Sequence, residues 1–402
     1  MSLTSPSRQA DSTPAPTSTP TDGSLASVET VVVSETAKVG GAETSLLEFL
    51  AQVPADERDR FAVVFPDEPG ALRARVADLG FPSLAVPLPP NLLPVPDAGG
   101  FVRTVRALSR LVRSAPVSTV YGNQISTGPL LTALKLRHPG LRTVLHVRDH
   151  RGPAGALFRH VPLQDAVVFN SGFVREAAVG GRLGSLMRGS DAVVYNCVDV
   201  ERARERAAEP ATVPGDDGET VGLFGRFERW KGFDYAVREL CHPDVYPHVD
   251  RVLLVGADSG LGDPDYEAEV RDLLSRVDPA GKVHLLPFQD NVWPYYDACD
   301  VVCVPSYDEP FGRVAIEAGA LGIPVLAANS GGLREIVRDG ETGFLFDHDR
   351  PSSFRAGALD LLTDDALRGR LGEAAERDVC DRFSPGEYHA AVRSVLADSD
   401  AN

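Results

Sequence analysis

Residues 301–321 read VVCVPSYDEPFGRVAIEAGAL, and this stretch decides how the rest of the chain is interpreted. The apolar run Val301–Val304 predicts a buried strand, and residues 313–321 carry apolar and small residues at helical spacing. The segment between them therefore leads from the carboxyl end of a strand into the first turn of a helix. Unpaired amides at such a helix start favour an anion, so this edge of the sheet is a candidate ligand site.

Two carboxylates flank the start of this helix. Glu309 and Glu317 lie eight residues apart in the sequence. If Phe311 and Gly312 form the first turn, Glu317 lies roughly 7 Å further along the axis at about 1.5 Å per residue. That spacing is comparable to the separation between the ribose hydroxyls and the terminal phosphate of a nucleotide. One carboxylate is therefore expected to hold a ribose and the other a sugar.

Short apolar runs alternate with helical patterns along the chain, which indicates an α/β protein with parallel sheets and helical crossovers. The first set of predicted strands covers residues 30–33, 61–65, 83–86, 118–121, 143–147, 166–169 and 192–195. The second set covers residues 221–224, 252–255, 283–286, 301–304, 325–327 and 344–346. We therefore predict two doubly wound, Rossmann-like domains that face each other across a central cleft, where the strands' carboxyl ends meet ligands.

The two sets of strands are separated by a polar stretch at 202–219 that contains prolines and glycines and is typical of a linker. Residues 1–26 are rich in Ser, Thr and Pro, which predicts a disordered tail. We place the first domain at 27–205, the linker at 206–219, the second domain at 220–384 and a C-terminal helix at 385–402.

Composition excludes several classes of protein. A formal net charge of -17 over 402 residues argues against a general nucleic-acid binder. The five cysteines are odd in number and form no Cys-x-x-Cys pair, so neither a disulfide framework nor a zinc site is indicated. The N-terminus lacks a basic start followed by an apolar stretch, and no apolar run approaches the roughly 18 residues that span a bilayer. A soluble, cytoplasmic protein is expected.

A second loop with charged residues lies at residues 225–232, which read GRFERWKG between a predicted strand and a helix. Arg226 and Lys231 can both face a diphosphate there, since fixed cations are needed where no metal counters the charge. Taken alone, the loop is equally consistent with two solvated charges. Gly40 and Gly41, after the first strand, let a backbone approach a ligand or simply form a tight turn.

Polar residues also follow the predicted strands of the first domain, where a hydroxylated acceptor would meet them. They are Tyr121, Asn123, His146, Arg148, His150 and Asn170. Residues of these types also serve as turn formers without any such role. A lone histidine is more often structural, so the position of His146 does not by itself make it a general base.

Two Asp-x-Asp motifs, at 263–265 and 347–349, are interpreted as a helix N-cap and a turn, and no metal site is predicted. Residues 101–114 place four arginines on one helical stripe. A crossover helix with a solvated arginine face is favoured, while a weak peripheral contact with an anionic membrane is the alternative.

Taken together, three features resemble the retaining nucleotide-sugar glycosyltransferases of family four, which have the GT-B fold. They are Gly40-Gly41, Gly225-Arg226 with Lys231-Gly232, and Glu309 with Glu317 followed by Gly331-Gly332. The resemblance covers nearly the whole chain after the tail and is strongest from Gly225 to Asp347. It implies that the second domain holds the nucleotide sugar, that the first supplies most acceptor contacts, and that the C-terminal helix crosses back to the first domain.

The resemblance also implies roles for individual residues. Arg226 and Lys231 would hold the diphosphate, Glu317 the ribose and Glu309 the donor sugar as an orienting, electrostatic group, with His146 as a further contact to that sugar. The implied donor-binding set is Gly41, Arg226, Lys231, Phe311, Gly312, Arg313 and Glu317. The acceptor-side candidates are Tyr121, Asn123, Arg148, His150 and Asn170. Cys197 stands where the family more often has Gly, and the charged run from Arg148 to Arg151 leaves acceptor specificity open.

The implied reaction moves a sugar from a UDP- or GDP-linked donor to an acceptor hydroxyl with retention at the anomeric carbon, without a metal or cofactor. The nucleotide sugar is then a substrate. A nucleotide-sugar epimerase of similar fold and a non-catalytic sugar-nucleotide-binding protein are the alternatives. A pyridoxal-phosphate phosphorylase is disfavoured because, of the four lysines, only Lys231 falls in a cleft motif.

Overall fold

A computed structural model describes residues 25–88, 97–150, 158–187, 189–215, 218–257 and 262–397. Within these ranges two parallel sheets form the centre of the molecule. The first contains β1 Thr30–Val33, β2 Phe61–Pro66, β3 Ser83–Val86, β4 Thr119–Gly122, β5 Arg142–Val147, β6 Ala166–Phe169 and β7 Ser190–Val193. The second contains β8 Thr220–Phe224, β9 Arg251–Ala257, β10 Val283–Pro287, β11 Val301–Val304, β12 Val325–Ala328 and β13 Gly343–Phe346. The predicted α/β architecture of two doubly wound domains is confirmed.

Helices connect the strands and cover the sheets. The α-helices are α1 Gly41–Ala51, α2 Ala71–Asp78, α3 Ala98–Ser114, α4 Gly128–Arg137, α5 Gly172–Val179, α6 Val200–Ala207, α7 Phe233–Leu240, α8 Pro264–Val277, α9 Trp293–Asp297, α10 Arg313–Ala320, α11 Leu333–Ile336, α12 Pro351–Thr363, α13 Asp365–Arg382 and α14 Pro385–Ala397. Short 3-10 turns lie at Ala55–Arg60, Ile125–Thr127, Phe158–Leu163, Gly181–Leu186, Arg229–Lys231 and Tyr246–His248. No helix in the described ranges is both long and apolar enough to cross a bilayer.

The strand order of each sheet opens a crevice at the point where the winding direction reverses. The first sheet runs β3-β2-β1-β4-β5-β6-β7 and the second β10-β9-β8-β11-β12-β13. The reversal lies between β1 and β4 in the first and between β8 and β11 in the second. Ligands of such sheets bind outside the carboxyl ends at these switch points. The loops after these four strands contain six residues of the predicted site: Asn123, Arg226, Lys231, Glu309, Phe311 and Gly312.

The chain passes between the two domains twice. Val198 and Ala203 pack in the core of the second domain, so α6 lies with that domain. Helix α14 returns to the first domain, where Tyr388 joins the core that contains β2. The two passages are adjacent, because the Val198 amide donates to the Phe383 carbonyl at 2.9 Å. The predicted boundary at 205 and linker at 206–219 stay predictions, and residues 1–24 of the predicted tail lie outside the described residues.

Candidate functional site

The loop after β8 turns sharply to bring its charged residues to the cleft. Gly225 has a φ of 137°, and Gly232, which starts α7, has a φ of 67°. A Cβ atom on Gly232 would lie 2.3 Å from the carbonyl oxygen of Pro305. Because only glycine fits at this approach, the sequence brings Lys231 next to the loop that follows β11.

Lys231 and Glu309 form an ion pair at the centre of the cleft loops. The Lys231 Nζ lies 2.8 Å from the Glu309 Oε2, and the side chains are 12% and 10% exposed. The Ser306 hydroxyl donates to the same carboxylate oxygen at 2.8 Å. The ammonium also lies 4.1 Å from the centre of the Trp230 ring, a cation–π contact that fixes it further. The two residues predicted to hold the diphosphate and the sugar are therefore in direct contact.

Arg226 lies on the same loop but in a more open position. Its Nη1 is 3.2 Å from the Glu228 Oε1, and its side chain is half-exposed. The structure therefore places one predicted diphosphate cation at the centre of the site and the other at its rim.

Residues 309–312, called the donor loop after the role predicted for them, lie immediately before helix α10. Gly312 has a φ of 118°, where a side chain would be strained and where a Cβ would lie 2.8 Å from the Leu333 side chain. The Phe311 side chain is buried, with its ring 5.9 Å from that of Tyr195. Among the described residues, no hydrogen bond uses the amide of Phe311 or Gly312 as a donor. The loop thus presents two backbone donors at a helix start, the arrangement predicted for an anion.

Glu317 lies one turn into α10, and both of its oxygens have protein partners. Its Oε1 accepts from the Arg313 Nε at 3.1 Å. Its Oε2 accepts from the buried Tyr296 hydroxyl at 2.9 Å. A ribose that binds here must exchange with or extend these contacts, and the assignment of Glu317 to the ribose stays a prediction.

Arg313 reaches across the cleft to the first domain. Its Nη1 donates to the Ser45 hydroxyl at 3.0 Å and lies 3.1 Å from the Glu48 Oε2. Burial raises the pKa of Glu48, and the Arg313 charge opposes that rise. The Cδ of Arg313 lies 3.5 Å from where a Cβ on Gly41 would stand. Gly41 therefore faces the start of α10 across the cleft, while the guanidinium bridges the two domains.

His146 is buried at the end of β5 and paired with a tyrosine. The Tyr121 hydroxyl makes a short hydrogen bond to its Nδ1. Burial, with the nearby Arg148 charge adding to it, lowers the pKa of His146 well below its ordinary value. Burial also raises the pKa of the Tyr121 phenol, so the hydroxyl keeps its proton. If this hydroxyl donates to Nδ1, the proton of the neutral ring lies on Nε2, which has no partner among the described residues.

Three of the acceptor-side candidates form a buried network instead of an open surface. Arg148 donates to the Asn123 carbonyl at 3.0 Å, to the Asn196 Oδ1 at 2.7 Å and to the Tyr388 hydroxyl at 3.0 Å. Its own carbonyl accepts from the Asn170 Nδ2 at 3.0 Å. These contacts tie the ends of three strands to α14. The charged side chain of Arg148 therefore packs inside the first domain.

His150 lies at the mouth of the first domain, away from this network. Its ring packs edge-on against Phe173, with centroids 4.7 Å apart, and its side chain is 14% exposed. Arg151, the last residue of the predicted charged run, lies outside the described residues.

Several residues that shape the cleft were not predicted from the sequence. They are Ser45, Glu48, Tyr296 and Glu335. Ser45 and Glu48 follow Gly41 at helical spacing on one face of α1, which was an available signal. Glu335 contacts the Gly172 amide across the domains, and no local sequence pattern indicates this contact.

Part of the chain is similar in sequence to known glycosyltransferases. The family described as glycosyl transferases group 1 matches residues 205–378. The D-inositol 3-phosphate glycosyltransferase of Rhodococcus opacus (strain B4) is 41% identical over 193 residues, which cover 46% of this chain and 43% of that protein. The enzyme of the same name from Streptomyces avermitilis is 36% identical over 201 residues, covering 47% and 43%. The chain thus spans less than half the length of these curated relatives.

Solved structures match over nearly the whole chain. Anabaena HepE, solved in complex with UDP and glucose, superposes with a TM-score of 0.74 at 23% identity, covering 92% of this chain and 99% of that one. Sucrose-phosphate synthase from Thermosynechococcus elongatus gives 0.73 at 20% identity, covering 91% and 98%. The predicted resemblance is confirmed at this level: the chain has the fold of the GT-B glycosyltransferases, and its residues 205–378 match the family model of the group 1 glycosyl transferases.

Proposed function

We propose that this protein transfers a sugar from a nucleotide diphosphate sugar to the hydroxyl of an acceptor, with retention at the anomeric carbon and without a metal ion. The observation that carries the proposal is the Lys231–Glu309 pair, 2.8 Å apart, whose Glu309 lies in the same loop as the Phe311 and Gly312 amides, which donate no hydrogen bond within the described ranges. Together these groups supply a cation, an anion and two backbone donors within one cleft.

Each of these groups suits a part of the reaction. The departing nucleotide diphosphate gains negative charge, which Lys231, Arg226 and the amides of Phe311 and Gly312 would stabilise. Glu309 would orient the sugar and stabilise positive charge that develops at its anomeric carbon. Since a fixed ammonium and helix-start amides already counter the diphosphate charge, we propose that a divalent cation is dispensable.

His146 suits a binding role better than that of a base. A neutral ring whose Nδ1 accepts from Tyr121 offers Nε2–H as a donor. Such a group would donate to an oxygen of the donor sugar, and it holds no free lone pair for proton abstraction. This supports the assignment of His146 as a contact to the donor sugar.

The experiment is a donor screen with the purified chain. HepE is solved with UDP and with UDP-glucose, so UDP-sugars are the first probes and GDP-sugars the second. Release of nucleotide diphosphate that depends on both donor and a mixture of hydroxylated acceptors supports transfer. Proton NMR of the product shows whether the anomeric configuration is retained, and a parallel reaction in EDTA should proceed at the same rate.

The same screen separates the alternatives. Interconversion of the donor sugar with no acceptor present would indicate that the protein is an epimerase and not a transferase. Tight nucleotide-sugar binding without turnover, across the acceptor panel, would instead indicate a non-catalytic binding protein.

A weak membrane contact is a further proposal for the first domain. Helix α3 exposes Arg103, Arg106, Arg110 and Arg113 along one side, next to the exposed Val102. Such a face suits an anionic surface. Flotation with anionic liposomes at low salt tests this proposal. If the protein stays at the bottom of the gradient, the membrane contact is refuted and only the cytoplasmic localisation remains as a proposal.

A further inference from the structure

The donor loop is held from both sides of the cleft. From the second domain, the Gly332 amide donates to the Glu309 carbonyl at 2.8 Å. From the first domain, the Ser171 hydroxyl donates to the Pro310 carbonyl at 2.5 Å. The peptide bond between Pro310 and Phe311 is trans, so its carbonyl and its N–H point in opposite directions. The hydrogen bond from Ser171 therefore fixes the direction of the Phe311 amide.

The Glu335 carboxylate accepts three hydrogen bonds between the same two regions. Its Oε1 accepts from the Phe173 amide at 2.7 Å, and its Oε2 accepts from the Gly172 amide at 2.8 Å and the Tyr195 hydroxyl at 3.0 Å. Gly172 and Phe173 begin α5, and the first amides of a helix have no partner inside it. A carboxylate of the second domain thus caps a helix of the first, where the helix dipole also favours a negative charge.

Ser171 connects the two contacts. It is the N-cap residue of α5, and its hydroxyl oxygen accepts from the Val174 amide at 3.0 Å while its proton goes to Pro310. The orientation of Ser171 therefore depends on the start of α5 that Glu335 holds. Tyr195, the third group on Glu335, packs against the Phe311 ring. A shift of α5 would move the hydrogen bond and the aromatic contact that support the donor loop.

We propose that Glu335 is a positioning residue for the transfer reaction. By capping α5 across the cleft, it keeps the Ser171 hydroxyl on the Pro310 carbonyl and so keeps the Phe311 amide aimed at the donor. Glu335 touches neither substrate in this assignment and acts through Ser171. The inference rests on the proposed function, because the Phe311 amide matters only if the donor loop holds a nucleotide sugar.

The test is Glu335→Gln, which keeps the size of the side chain but replaces one accepting oxygen with an amide that cannot accept from α5. Misplaced donor-loop amides should lower kcat by about tenfold or more. The KM for the donor and the affinity for UDP should change by less than about threefold, since Lys231 and Glu317 are untouched. Small-angle scattering should report a larger radius of gyration. Glu341→Gln, an exposed change of equal charge on the same domain, is the matched control.

Ser171 supplies the second variant. Ser171→Thr retains the hydroxyl and should keep kcat near that of the natural protein, while Ser171→Ala should reproduce the loss seen in Glu335→Gln. An unchanged kcat in Glu335→Gln would overturn the inference, as would a loss of UDP affinity as large as the loss of kcat. If the natural protein transfers no sugar, the proposed function fails, and the scattering alone then decides whether Glu335 holds the domains together: an unchanged radius would refute that as well.

Discussion

At the scale of single residues, the charge of Glu309 both stabilises the folded cleft loops and takes part in the proposed reaction. Its carboxylate holds the Lys231 ammonium and the Ser306 hydroxyl. In Glu309→Gln the shape is kept and the charge is lost, so kcat should fall by about a hundredfold or more. UDP should bind as well as before or more tightly, because Lys231 no longer has a carboxylate partner. Turnover assays and calorimetry measure the two effects.

Asp308 provides the control for this prediction. It is the exposed neighbour of Glu309, and Asp308→Asn should leave turnover close to that of the natural protein. Normal transfer by the Glu309→Gln variant would contradict the role assigned to this carboxylate.

His146 gives the protein a pH dependence of predictable sign. Its folded-state pKa lies below the ordinary value of 6.5, so the unfolded chain takes up a proton first as the pH falls. The stability that the neutral ring contributes is complete above pH 6.5 and is lost as the pH falls toward the folded-state pKa. His146→Gln retains an acceptor for Tyr121 and does not titrate. The stability advantage of the natural protein over this variant should shrink between about pH 7.5 and about pH 5.

Urea unfolding of both proteins at each pH measures this difference. The other histidines are present in both proteins, so their titration cancels in the comparison. A difference that stays constant or grows toward acid would show that His146 does not titrate as a buried neutral ring.

At the scale of secondary structure elements, two glycines with the same φ angle allow the free-energy cost of a left-handed backbone to be distinguished from that of a steric collision. Gly232 and Gly281 both have a φ of 67°, but a Cβ on Gly281 meets nothing within 4 Å. Gly281→Ala should therefore cost only the left-handed conformation, about 1–2 kcal/mol. Gly232→Ala adds the collision with the Pro305 carbonyl and should cost clearly more, with loss of UDP binding as Lys231 moves. Denaturant unfolding of both variants checks the difference, and equal costs would contradict the close approach.

Most helices and strands were predictable because a short stretch of sequence determines each of them. The apolar runs matched the strands within one or two residues, since a strand buried on both faces needs a continuous apolar run. The edge strand β7 is displaced by two residues at both ends: it was predicted at 192–195 and lies at Ser190–Val193. The apolar run extends to Tyr195 for a different reason. The Tyr195 ring packs against Phe311 and Phe383 beyond the end of the strand.

The site was predictable only where its residues share a loop. Glu309, Phe311 and Gly312 follow one strand, so the sequence places them together. The contacts of Arg313 with Glu48 and of Glu335 with Gly172 join residues that are far apart in the chain. Such pairs depend on how two domains meet, which no local periodicity encodes. The burial of Arg148 was also not predictable from the sequence. An arginine at the end of a strand is expected to be exposed, and this one is buried because α14 covers it.

At the scale of the whole molecule, Tyr388 ties the end of the chain to the first domain. Its hydroxyl accepts from the buried Arg148 guanidinium at 3.0 Å. Tyr388→Phe leaves that donor without one acceptor and should lower the free energy of unfolding by about 1.5–3 kcal/mol. Tyr307→Phe, which removes a hydroxyl from an exposed ring, should change it by less than about 0.5 kcal/mol. Equal effects in thermal or urea unfolding would show that the Arg148 contact contributes nothing.

The two adjacent passages of chain between the domains also restrict how the molecule can move. Joined by the hydrogen bond from Val198 to Phe383, they resist sliding and twisting of one half over the other. The movement that remains is a rotation of one domain relative to the other about the line through both passages. A single pair of fluorescent labels placed far from that line would therefore report the entire opening movement as one distance.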